Sequence, residues 1–80
     1  MKAEDIRKII LHFGEFNQIE KCKEELFELI IALSDGHVEN IEEEIADVEI
    51  MTEQLKIILN LKNIDKIKDS KIKRTLELTE

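Results

Sequence analysis

Residues 15–61, EFNQIEKCKEELFELIIALSDGHVENIEEEIADVEIMTEQLKIILNL, decide the fold. Phe16, Ile19, Cys22, Leu26, Leu29, Ile30 and Leu33 recur at three- and four-residue intervals, the spacing of one helical face. Val38, Ile41, Ile45, Val48, Met51, Leu55, Ile58 and Leu59 repeat the pattern after a gap. Ser34-Asp35-Gly36 fills the gap, and Gly36 suits the left-handed residue that ends a helix. Asn40 is a candidate N-cap, with Glu42, Glu43 and Glu44 in the turn that follows, at the positive end of the helix dipole. The reading is a helical hairpin, one arm over residues 15–33 and the other from Val38 or Asn40 to Leu61.

The flanks extend the same reading. AEDIRKIILHF, residues 3–13, makes a short helix with acids at its start, broken at Phe13-Gly14. Asn60 to Asn63 is a second break, and Asn63 can cap a helix from Ile64 to Leu78 with Ile64, Ile67, Ile72, Leu76 and Leu78 on its apolar side. There is no proline, and no alternation long enough for a strand. The expected fold is all-α: one domain over residues 1–80, a hairpin-based bundle of three to four helices. Apolar residues are 42% of the chain, more than one thin stripe requires. Ala46, Ile50, Ile57 and Leu61, with Phe27 and Ile31 on the other arm, form a second apolar side. Two apolar sides need two partners, so a homo-oligomer is expected to complete the bundle.

Four acids stand apart from the rest. Glu25 and Glu28 are spaced i, i+3, as are Glu44 and Asp47, so each pair projects from one side of its helix. At about 100° per residue, Glu44 falls inside the apolar arc of the second arm. Asp47 falls at that arc's edge, Glu25 borders the stripe of the first arm, and Glu28 sits one step further round. Gln18, Glu25 and Ala32 form a column along the same border. Glu20, Glu24, Glu42, Glu49 and Glu53 point to solvent. A carboxylate against a core costs several kcal/mol unless it is paired, so these acids bind a metal, pair with a lysine such as Lys21, or line a wet cleft. Four acids converging from two helices favour a divalent cation, and oxygen ligands with this spacing suit Mg²⁺.

The remaining features mostly exclude. Net charge is −7, which argues against a nucleic-acid-coating role. Lys62, Lys66, Lys68, Lys71, Lys73 and Arg74 are nonetheless six of the twelve cations, gathered near the C-terminus. They form either a solvated face or a local anion-facing patch. Cys22 is single and on an apolar face, the place of a small buried hydrophobe. No apolar run is long enough for a membrane span and no signal-peptide pattern is present, so a soluble, cytoplasmic protein is expected. His12 and His37 are isolated, and there is neither a phosphate-binding glycine loop nor a zinc-ligand spacing.

Glu25-Leu26-Phe27-Glu28, fifteen residues, then Glu44-Ile45-Ala46-Asp47 resembles the ExxE–spacer–ExxD hallmark of the MazG-like all-α nucleoside triphosphate pyrophosphohydrolases. FGEFNQIEKCKEELFELIIAL and NIEEEIADVEIMTEQL are similar in context to short phage-type or bacterial members, over about residues 11–60 and more loosely at KIKR. The resemblance implies a helical dimer or tetramer that hydrolyses a (deoxy)nucleoside triphosphate to the monophosphate and pyrophosphate. It implies Mg²⁺, with Mn²⁺ as a substitute, held by Glu25, Glu28, Glu44 and Asp47. It places Gln18 near the nucleotide. On charge grounds, Lys71, Lys73 or Arg74 would neutralise the leaving pyrophosphate. The chain departs from the pattern at His12-Phe13, where a tryptophan often precedes the glycine, and no Trp or Tyr is present for base stacking. The rival expectation is a non-catalytic helical oligomerisation or regulatory module, or an inactive nucleotide-binding relative. No nucleic-acid or membrane partner is expected.

Overall fold

Gly14, Gly36 and Asn60 are the residues with positive φ, and each marks a place where one helix ends. The computed structural model describes all 80 residues as α1 (Ala3–Phe13), α2 (Glu15–Asp35), α3 (Val38–Ile58) and α4 (Ile64–Glu77), with no strand. Gly14, at φ 93° and ψ 144°, separates α1 from α2 by a single residue. At Gly36, with φ 76° and ψ 15°, the N–H bonds back to the Ala32 carbonyl, a left-handed helix end. Asn60, at φ 52°, closes α3 with a pair of bonds, Leu61 N–H to Lys56 O at 2.9 Å and Asn60 N–H to Ile57 O at 3.2 Å. Those are the 6→1 and 5→2 bonds of a Schellman motif.

The all-α expectation holds, with shifted boundaries. α2 runs two residues past Leu33 to Asp35. α3 starts at Val38 with His37 in the cap position, so Asn40 lies within the first turn and is not the N-cap. The break after α3 begins earlier than Leu61, because the Schellman bonds engage Asn60 and Leu61. Asn63 does occupy the cap position of α4, but its side chain makes no capping bond.

α2 and α3 form an antiparallel hairpin, and α1 lies against both. The seam between α2 and α3 is anchored by the Gln18 amide, which donates to Gln54 Oε1 at 2.7 Å. Counting outward in opposite directions from that bond brings Cys22 level with Met51. Glu25 then comes level with Asp47, Glu28 and Leu29 with Glu44, and Ala32 with Ile41. The buried residues of α2 are Gln18, Cys22, Glu25 and Ala32, and those of α3 are Met51 and Gln54. Ile6 and Ile10 of α1 complete the core. The column read from sequence as a border is therefore the centre of the seam. Phe16, Leu26, Ile30 and Leu33, expected to face inward, are exposed.

α4 packs against none of the other helices, and none of its residues is buried. The accessible surface is 6655 Å², whereas a compact monomer of this mass exposes about 5,000 Å². The radius of gyration is 15.0 Å, against about 12 Å for a compact 80-residue domain. No helix is long and apolar enough to cross a membrane.

Candidate metal centre

Helical spacing and antiparallel pairing together assemble an acid cluster at the middle of the seam. Glu25 is 6% exposed, Glu44 is half-buried and Glu28 is exposed. One carboxylate oxygen from each lies within 4.8 Å of the others. Lys21 Nζ approaches Glu25 Oε1 at 3.3 Å, the pairing the sequence suggested, and Glu25 in turn holds Lys21 above its usual pKa. That contact engages one oxygen only. Glu25 Oε2 and Glu44 Oε2 are both buried without a hydrogen-bond partner.

Electrostatics at Glu44 reflect this crowding. Desolvation, followed by the charges of Glu28, Glu25 and Asp47, pushes its pKa up to about 6. Two ionised carboxylates are both pure acceptors, so Glu25 and Glu44 can hydrogen-bond only when one carries a proton. A divalent cation removes the same conflict without a proton. The two acids that carry the orphaned oxygens stand in one group with Glu28, which meets this requirement. Glu25, Glu44 and Glu28 are the residues that would hold such a cation, each offering one carboxylate oxygen.

Asp47 is half-buried on the same seam but contributes no oxygen to this group. Its charge still reaches Glu44. Glu28, which helical geometry alone favoured least, is in the group. Gln18 is buried with its amide given to Gln54, so it acts within the seam. Lys71 and Arg74 are exposed on α4.

Two residues join the site that the sequence did not mark for it. Asp35 and Asn40, together with Glu28, Glu44, Ile31 and Ala32, line a hollow of about 180 Å³ at the α2–α3 turn. Asn40 supplies the one amide in a wall otherwise carboxylate and apolar. Its signal in the sequence is its i, i+4 spacing to Glu44, outweighed by its resemblance to a cap. A larger groove, about 500 Å³, runs along α4 away from these acids and is lined by Asn63, Lys66, Ile67, Ser70, Lys71 and Arg74. No family model matches the chain, and neither a curated protein nor a solved structure matches it.

Proposed function

We propose that the chain is a Mg²⁺-dependent nucleoside triphosphate pyrophosphohydrolase, releasing the monophosphate and pyrophosphate. The observation that carries this reading is that Glu25 and Glu44 each bury an unpartnered oxygen and stand in one carboxylate group with Glu28, within the ExxE and ExxD spacing. A site of three carboxylates repels a triphosphate, so the two meet only through a cation. Magnesium is suited to this role because it takes one or two protein carboxylates and fills its shell with phosphate oxygens and water. When bound it would neutralise phosphate charge and lower the pKa of a water.

The chain's residues have separate tasks. Glu25, buried, and Glu44, half-buried, would hold the cation on the seam. Glu28, exposed at the mouth, completes the set or orients the attacking water as a general base. Asp47 sets the local charge and adds an oxygen if the cluster tightens. The hollow beside Asp35 and Asn40 receives part of the substrate away from its phosphates, since its carboxylates repel anions and Asn40 can bond a hydroxyl. Lys71 and Arg74 are the candidate contacts for the leaving pyrophosphate.

The test is incubation with Mg²⁺ or Mn²⁺ and a panel of ribo- and deoxyribonucleoside triphosphates, assayed for monophosphate and pyrophosphate. Wild type is expected to turn over at least one, and Glu44→Gln to lose at least a hundredfold in kcat/KM. An inactive wild type that still binds Mg²⁺ at the cluster identifies a non-catalytic relative. Equal activity of the variant removes the site from the reaction.

A further inference from the structure

The C-terminal segment is charged unlike the rest of the chain. Residues 1–61 carry six cations and fifteen acids, net −9; residues 62–80 carry six cations and four acids, net +2. Helical geometry gathers Lys66, Lys71 and Arg74 on one face of α4 with Asn63, Ile67 and Ser70, and turns Asp65 and Asp69 to the opposite face. Those six residues line the groove along α4. No cation of α4 forms an ion pair within the chain; all five ion pairs lie in α1, α2 and α3.

Distance keeps this face from the acids of its own chain. Glu44 lies fourteen residues before Ile58, the end of α3, roughly 21 Å along the helix at 1.5 Å per residue, and α4 does not fold back onto the hairpin. An isolated helix of this length is marginal in water. Its Ile67, Ile72 and Leu76 are about half exposed, as are Ile30, Ile31 and Ile45 beside the acid cluster. The surface in excess of a compact monomer, about 1,600 Å², is more than the roughly 800 Å² that each partner buries in a standard interface.

We infer that α4 docks across the hairpin of a second copy of the chain, carrying Lys66, Lys71 and Arg74 to that copy's Glu25–Glu28–Glu44 cluster. The exchange is mutual about a two-fold axis, so each site joins three acids from one protomer to three cations from its partner. Acids and cations sit on opposite sides of the phosphates, the first reaching them through the cation and the second directly. The phosphate role rests on the activity proposed above; the docking does not.

Two experiments separate these. In the first, ¹⁴N- and ¹⁵N-labelled full-length chains are mixed, allowed to exchange and treated with a zero-length carbodiimide. Lys71–Glu28 or Lys66–Glu28 cross-links are expected, about half of them joining differently labelled peptides. Cross-links found only within one label, or none, overturn the proposal whatever the activity. The second mixes Glu44→Gln with Lys71→Ala/Arg74→Ala, substitutions at exposed positions in the latter case. Each is expected to be inactive alone. A one-to-one mixture is expected to recover about a quarter of wild-type turnover, since half the dimers are mixed and one of their two sites is intact. No recovery with an active wild type overturns the proposal. Mixed-label cross-links with no turnover in wild type uphold the docking and remove the activity.

Discussion

Glu25 uses its two oxygens differently. One meets Lys21 at 3.3 Å, and the other is buried with no donor. In the metal-free protein this is a source of instability held in the centre of the seam. Glu25→Gln is therefore expected to raise the melting temperature of the metal-free protein by a few degrees, as relief of repulsion at functional sites commonly does, while weakening Mg²⁺ binding at least tenfold by calorimetry. A lower melting temperature with unchanged metal affinity would mean that Glu25 serves only the Lys21 ion pair. Glu44 adds a pH signature. Its folded pKa, about 6, lies above the 4.5 of the unfolded chain. Its contribution to stability is thus fully present below pH 4.5 and is lost as pH rises through about 6. Metal-free wild type should lose more stability between pH 5 and pH 7.5 than Glu44→Gln, by thermal unfolding at both values. Mg²⁺ affinity should run the other way, falling as pH drops through 6, because the cation and the proton compete for the same oxygens.

The Gln18–Gln54 bond belongs to the pairing of two helices. Gln54 is 1% exposed and its amide also lies 3.5 Å from Met51 Sδ. Gln54→Leu alone leaves the buried Gln18 amide unpaired and should cost about 1–3 kcal/mol, whereas Gln18→Leu/Gln54→Leu should recover most of that loss. Chemical denaturation of the four members of the cycle measures the coupling. At the hairpin turn, Gly36→Ala forces a Cβ into the left-handed region and should cost about 1–2 kcal/mol, although a Cβ there meets no neighbour within 4 Å.

The helix ends are legible in the sequence because Gly14, Gly36 and Asn60–Asn63 interrupt the pattern by local backbone preference. The seam is less so. α2 is apolar on several sides, with Leu26, Phe27, Leu29, Ile30 and Ile31 in one short run, so hydrophobic periodicity does not single out one face. The face that pairs with α3 is the one carrying Gln18, which bonds Gln54 across the hairpin, and Glu25, which meets Lys21 on its own helix; both are polar residues that a count of apolar side chains passes over. Glu25 and Glu44 were recognisable as acids beside packing residues. Glu28 enters the cluster through the length of its side chain and the antiparallel register, neither of which a single helix reveals. Asn40 reaches the hollow only because α3 starts at Val38.

For the whole molecule, surface and extent tell the same story: 6655 Å² exposed and a radius of gyration of 15.0 Å. Sedimentation is expected to show a dimer or larger species at micromolar concentration. Raising salt from about 0.05 to 0.5 M, where the Debye length falls from above 10 Å to a few ångströms, should shift the balance toward monomer if the basic α4 docks on the acidic hairpin. Salt-independent association would assign the contact to apolar faces such as Phe27, which is 68% exposed. Amide exchange in α4 should track this equilibrium, fast in dilute monomer and slow in the assembled protein. The seam amides should be slow in both.

Asn60 gives the turn before α4 a property that glycine would not. The Schellman bonds end α3 with this residue at φ 52°, a conformation glycine occupies without steric penalty and asparagine tolerates. Glycine would also open many other orientations to the chain beyond it. Asparagine narrows that swivel, so the last helix leaves the body along a restricted heading. The bearing of the arm is thus written into one side chain, and a change at residue 60 could re-aim it with every acid of the seam left in place.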